Sequence, residues 1–254
     1  MPRLRVEDGR VVKEIVDGAC SVESCFGCRV LATDGTIGRV VDLYFDDEKW
    51  VVRYLLVNTG DWLSGRRVLI SPHAVRFIDV GTRIVVVAVT RSQVETSPDI
   101  DTTRPVSRLQ EKALTCYYGH PEYWPCPTYW AWGAVPLPAP TREAGRRLVR
   151  ERMLRQKSEA SSESHLHSCR SIMGYHIEAR DEPVGDVEDL LFDGQTWAIL
   201  DVVVSTRGER MARRVRIAPE WIRRVSWDGR RLALNVGRES LRRHDPPGGR
   251  SASV

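Results

Sequence analysis

No stretch of this 254-residue chain approaches the roughly 20 apolar residues needed to cross a bilayer, and Met1 to Val12 has no uninterrupted apolar run of the kind a secretory leader carries. Both absences point to a cytoplasmic protein. Cysteine is also sparse, and six in a chain this long are too few for a disulfide scaffold, so reduced thiols are the expectation. There is no Gly-x-Ser-x-Gly, no phosphate loop and no His-Glu-x-x-His, so no recognised motif announces an enzyme, and no cofactor is expected. An excess of one charge is nearly missing too. The net charge is +4, and it sits in residues 142–254, which hold 22 Lys and Arg against 17 Asp and Glu; the residues before them hold 16 against 17. This bias can favour an acidic partner, but it falls short of the dense basic face that nucleic-acid binding usually shows.

What is present is enough for a core: 42% of the residues are hydrophobic and 28% charged, and the length suits two compact domains. An internal repeat supports that division. With an offset of 147, Gly27 falls on Gly174 and the two stretches run without a gap to Val94 and Leu241. Asp34 meets Asp181, Gly38 meets Gly185, Asp42-Leu43 meets Asp189-Leu190, and Phe45-Asp46 meets Phe192-Asp193. Trp50 then meets Trp197, Arg66-Arg67-Val68 meets Arg213-Arg214-Val215, Pro72 meets Pro219, and Arg91 meets Arg238. A shared Trp, a shared Pro and two Gly-Asp patterns in one register mark a duplication.

Within each copy the punctuation is that of short strands. In the first, Cys28 to Ala32, Ile37 to Phe45, Trp50 to Val57, Arg67 to Ser71 and Ile84 to Val89 are bounded by Asp, Gly and Pro. The second gives Gly174 to Ala179, Val184 to Phe192, Trp197 to Val204, Val215 to Ala218 and Leu232 to Val236, and each copy ends in a polar helical turn, Arg91 to Glu95 and Arg238 to Arg243. Short strands at this spacing imply a small barrel. The fold class is therefore mainly β: two small barrels from an internal duplication, joined by an aromatic, Pro-rich connector and a basic helix. Residues 1–23 form an N-terminal extension with a hairpin about Asp8-Gly9, 24–98 the first barrel, 99–167 the connector, 168–245 the second barrel and 246–254 a disordered tail.

The series Asp-Gly, Ile-Gly-x-Val-x-Asp-x-x-Phe-Asp, a Trp opening an apolar strand, and Arg-Val-x-Ile-x-Pro stands in Cys28 to Pro72 and more loosely in Tyr175 to Pro219. This series resembles the PRC-barrel family, named for the cytoplasmic barrel of the photosynthetic reaction-centre H subunit and similar to the C-terminal domain of a ribosome maturation factor. The resemblance implies docking on a larger protein or ribonucleoprotein assembly without chemistry of its own. No stretch here matches the membrane helix of the H subunit.

The matched residues Gly38, Asp42, Phe45, Trp50, Pro72, Gly185, Asp189, Phe192, Trp197 and Pro219 read first as structural, because two barrels that repeat a residue repeat a geometric need. Tyr117, Tyr118, Tyr123, Trp124, Tyr129, Trp130 and Trp132, interleaved with prolines, read as an extended segment that either clasps the barrels or anchors a protein partner. Cys25 and Cys28 with His165, His167 and Cys169 are the weak alternative of a metal site or redox pair, but a second paired-cysteine motif is missing. Thr141 to Lys157 reads as a basic linker helix and Ser158 to Ser164 as a hinge. The leading functional expectation is an adaptor that binds a protein partner or a second copy of itself, with contact at a membrane surface left open. The rival is an RNA- or ribosome-linked role through Arg207, Arg210, Arg213, Arg214, Arg216, Arg223, Arg224, Arg230 and Arg231.

Overall fold

Apolar residues alternating with polar ones, cut by Asp- and Gly-containing turns, are built to pair as antiparallel strands. The computed structural model describes residues 6–7, 10–11, 18–98, 106, 108–120, 166–206 and 213–243. The chain divides into two units, Met1–Arg170 with Phe192–Ala198, and Ser171–Leu191 with Ile199–Val254. The aromatic residues Tyr123 to Trp132, His165, Arg207, Arg210, the expected basic helix and hinge, and the tail lie outside the described residues.

In the first unit, β1 (Val6–Glu7) and β2 (Arg10–Val11) pair as the expected short hairpin, and β3 (Ala19–Ser21) runs into a single helical turn, α1 (Val22–Cys25). Then come β4 (Arg29–Ala32), β5 (Gly35–Asp46), β6 (Val51–Asn58), β7 (Arg67–Ile70), β8 (Val75–Asp79) and β9 (Ile84–Val87). They form one sheet in the order β7-β6-β5-β4-β9-β8, antiparallel throughout except for the β4–β9 pair. The two outermost strands, β7 and β8, are consecutive in the chain and separated only by the 3-10 turn Pro72–Ala74. The sheet must therefore curl until its edges approach, leaving a seam at that turn. After β9 follow α2 (Arg91–Glu95), α3 (Arg108–Tyr118) and β10 (Leu166–Ser168), which pairs with the far end of β5, Leu166 opposite Asp46.

The short helix α4 (Cys169–Ile172) leads to β11 (His176–Glu178), β12 (Pro183–Asp193), β13 (Ile199–Thr206), β14 (Arg214–Ile217), β15 (Ile222–Ser226), β16 (Arg231–Leu234) and α5 (Arg238–Arg243). The second sheet has the order β14-β13-β12-β11-β16-β15, that of the first, with the 3-10 turn Pro219–Trp221 at its seam. The duplication also runs further than the residue matches: β3 and α1 recur as β10 and α4 at the same offset.

The repeated residues explain the repeated shape. A Cβ on Gly38 would lie 1.9 Å from the Asn58 carbonyl oxygen, and one on Gly185 2.0 Å from that of Ser205, so neighbouring backbones meet where no side chain fits. Trp50 and Trp197 sit at φ 52° and 62°, a left-handed conformation that a bulky residue rarely adopts. Each ends a turn begun by the repeated Asp, through Trp50 N–H to Asp46 O (2.7 Å) and Trp197 N–H to Asp193 O (2.8 Å), and each ring packs on the repeated Phe. Asp34 and Asp181 accept from the Arg91 and Arg238 amides at 2.8 and 2.9 Å, tying the first hairpin of each barrel to its closing helix.

Four strands were not expected, β3, β8, β10 and β15. β8 and β15 escape the alternation rule because each carries a register shift, between Val75 and Phe77 and between Ile222 and Arg224. Strands β6 and β13 begin one and two residues after Trp50 and Trp197, which belong to the turns.

Candidate functional site

Inside both barrels the positions that could face a substrate are filled by aliphatic and aromatic side chains. Val30, Ile37, Leu43, Phe45, Val52, Leu55, Val57 and Val85 are fully buried in the first, and Ile177, Leu190, Phe192, Val202, Val204, Ile217 and Leu232 in the second. Interest therefore moves to the outer surfaces, where polar groups gather at two places in the first unit.

The first is the seam. Helix α3 is apolar on one side, with Ala113, Leu114, Tyr117 and Tyr118 buried. Its C-terminal end is fastened around the barrel: Tyr117 donates to Gln93 O (2.8 Å) and meets the Thr96 hydroxyl, while the Tyr118 phenol lies in the field of Arg66 beside Ser97. His120, turned in by its amide bond to Thr115 O (2.9 Å), stacks on Tyr118 and packs against His73 of the seam turn, with ring centroids 5.6 and 5.4 Å apart. Arg66 adds bonds to Glu95 O (2.8 Å) and Ser97 O (2.6 Å). For Tyr117 and Tyr118 this replaces the expected extended segment with a helix and, of the readings left open there, fits the clasp and not the partner anchor. They close a helix that ends before the first connector proline, and at 4% exposure each they hold it to the barrel and are withdrawn from any partner surface. The signal was legible, since Leu114, Tyr117 and Tyr118 stand at helical spacing, but their nearness to the proline-rich stretch masked it. His73 and His120 had no sequence signal.

Burial, with the Arg53 guanidinium near, lowers His73 to about 4; burial, with His73 near, lowers His120 to about 4. An unfolded histidine takes its proton near 6.5, so between 6.5 and 4 the unfolded chain binds more protons than the folded one. The stability held by the neutral pair is complete above 6.5, falls as pH drops through this window and is lowest at 4 and below. The expected loss is on the order of 3 kcal/mol for the pair, discounted for partial exposure. Thermal unfolding followed against pH should show a shallower acid slope for a His73→Asn/His120→Asn variant than for the wild type; parallel slopes would contradict the assignment.

The second place is Asp42, which lies at a register shift of β5 and accepts from its own neighbour, Leu43 N–H, at 2.8 Å. It also takes the Ser168 hydroxyl and, at 3.1 Å, the Arg170 amide, so it holds the β10 segment on β5. The Arg170 side chain bonds Val41 O (2.9 Å) and lies over the Phe26 ring at 4.3 Å. Burial raises the Asp42 carboxyl, and the bonds from Ser168, Arg170 and Leu43 work against that rise. Asp189 repeats the bond to the next amide, Leu190 N–H at 2.8 Å.

The cysteines take ordinary positions. The Cys25 and Cys28 thiols are buried and donate to the Ser21 and Ser24 carbonyls at 3.3 and 3.4 Å, and Cys169 is buried at the start of α4. Burial raises the Cys28 thiol, the reverse of an activated thiolate. His167 lies 3.3 Å from the Asp47 carboxylate. Among the described residues no three His, Cys, Asp or Glu side chains converge as metal ligands.

In the second unit the arginines spread over the outside. Arg214 pairs with Glu188, Arg231 with Glu178 (2.9 Å) and Arg238 with Glu182 (2.9 Å), exposed pairs of small energetic weight. Arg216, Arg223 and Arg224 are exposed on the two strands that flank the seam. No helix among the described residues is long and apolar enough to cross a membrane.

Residues 21–94 match the family model of the PRC-barrel domain. No curated protein matches the chain significantly.

Proposed function

We propose that the chain, whose residues 21–94 match the PRC-barrel domain and whose β11 to β16 repeat the same strand order, is a tandem PRC-barrel protein that acts as a non-catalytic adaptor docking on a larger protein assembly. The observation that carries this reading is the filled interior. Both barrels close on apolar side chains, so the surface is what remains for function. Three buried polar groups of the first unit support it, because they are engaged in holding the fold. Asp46 pairs with Arg53, Asp42 holds β10, and Ser97 donates to Val94 O. The reaction-centre H-type barrel, which this family resembles, offers the same mode of action.

Affinity capture of the full-length protein from its native cells, followed by size-exclusion chromatography and mass spectrometry, tests the proposal. The expected result is a complex of defined stoichiometry that survives moderate salt. A chain that elutes alone would remove the adaptor reading. Recovery of ribonucleoprotein, lost steeply as salt rises, would favour the RNA-linked one.

A further inference from the structure

The two barrels turn the same positions outward around their seams and fill them with opposite chemistry. In the first, Leu55 and Val57 of β6 face inward with Ile70 and Val68 of β7, so the intervening pair, Leu56 opposite Leu69, faces out; Phe77, opposite Val86, does the same on β8. All three are covered, Leu69 to 1% exposure and Phe77 to 9%. Helix α3 is anchored on this side of the barrel, at Arg66 just before β7 and at His73 just after it. The covered face and the anchored end of α3 thus lie beside one another at this seam.

In the second barrel the equivalent outward pair is Val203 opposite Arg216, and Arg224 takes the place of Phe77. Leu200, standing where Arg53 is buried in the first copy, is 42% exposed, and Trp221 of the seam turn is half-buried. Arg216, Arg223 and Arg224 make no ion pair or hydrogen bond among the described residues, and Glu220 and Asp201 are the acidic residues at these positions, so cations outnumber anions. Of the chain's own segments outside the described residues, 141–157 has the same sign as this face and 244–254 is interrupted by Pro246-Pro247-Gly248-Gly249.

We propose that this outer face of the second barrel receives an amphipathic acidic helix of a partner protein, its apolar stripe on Leu200, Val203 and Trp221 and its carboxylates on Arg216, Arg223 and Arg224. The inference rests on the adaptor reading and gives that reading its surface and its partner's chemistry. The mode is helix-in-groove recognition. Complementary charge supplies orientation, and the apolar centre supplies affinity.

A synthetic helix with one leucine stripe flanked by glutamates is the probe, titrated into the full-length protein. It should bind at least about tenfold more tightly than the same helix with lysines in place of the glutamates. The exposed double change Arg216→Glu/Arg224→Glu should weaken binding at least about tenfold while leaving the melting temperature unchanged, and Leu200→Ser alone should act in the same direction. Equal binding of the two helices, indifference to both variants, or a double variant that loses an oligouridylate RNA but not the helix would each overturn the proposal. Capture from native cells separates the two levels. If the wild type and the double variant recover the same complex, the face is wrong and the adaptor reading stands; if the wild type recovers none, both fall.

Discussion

Replacing Gly38 or Gly185 by alanine is expected to unfold the barrel that contains it. The added Cβ would overlap the Asn58 or Ser205 carbonyl oxygen at 1.9 or 2.0 Å, with the following carbon at 2.8 Å and the next Cα at 2.9 Å in both copies. All of these are backbone atoms, so no rotamer change relieves the overlap. Around Gly38, retreat would pull Asn58 from Arg39, the last pair of the β5–β6 ladder. A loss of at least about 4 kcal/mol follows, the scale reserved for strain that packing cannot absorb. A domain holding roughly 5–15 kcal/mol in all would be left near its threshold. Gly60→Ala is the control: it also has a positive φ, 63°, but open space around it, and should lose only about 1 kcal/mol. Denaturant unfolding read by tryptophan fluorescence checks this, and a Gly38→Ala protein as stable as Gly60→Ala would refute it.

The second large effect distinguishes the copies. Asp46 and Asp193 occupy the same repeat position and do the same local work: Asp46 accepts from Glu48 and Lys49 amides at 3.1 and 3.0 Å, and Asp193 from Gln195 and Thr196 amides at 2.9 and 2.6 Å. Only Asp46 also faces a buried cation, Arg53, at 3.3 Å and 1% exposure. Asp193 has no such partner because Leu200 stands at the arginine's position. Asp46→Ala should therefore cost about 3–5 kcal/mol, since it takes a counter-charge from a desolvated guanidinium. Asp193→Ala should cost about 1 kcal/mol, the value of a turn-capping carboxylate. Equal losses in chemical denaturation would show that the Arg53 pair contributes nothing. A combined Asp46→Ala/Arg53→Leu protein should recover much of the loss by restoring the chemistry of the second copy.

Much of the architecture could be read from residues whose backbone demands are narrow. Gly38 and Gly185 mark close approaches and Pro72 and Pro219 strand ends, and with Trp50 and Trp197 their repetition at one offset exposed the duplication before any strand was drawn, although both tryptophans, read as strand starts, are left-handed turn ends. What escaped were elements whose cause is not local. Strands β8 and β15 are disguised by bulges, and β10 is three residues long and exists only because β5 offers it an edge. Helix α3 shows a readable stripe, but where it docks depends on His73 and Arg66, far away in sequence. The divergence of the outer faces, Leu69 to Arg216 and Phe77 to Arg224, could be read as substitutions but not as a surface until the pairing register showed which way they point.

The helix that closes over the first seam has a numerical consequence. A molecule with two open copies of one surface would be divalent, able to bridge identical partners into chains or gain avidity from a repeated ligand. Here the outward positions of the first barrel are covered and those of the second have changed chemistry, so on the proposed reading gene doubling does not double the binding capacity. If the proposed face is the binding surface, the expected stoichiometry is one chain to one acceptor, carried by the second barrel.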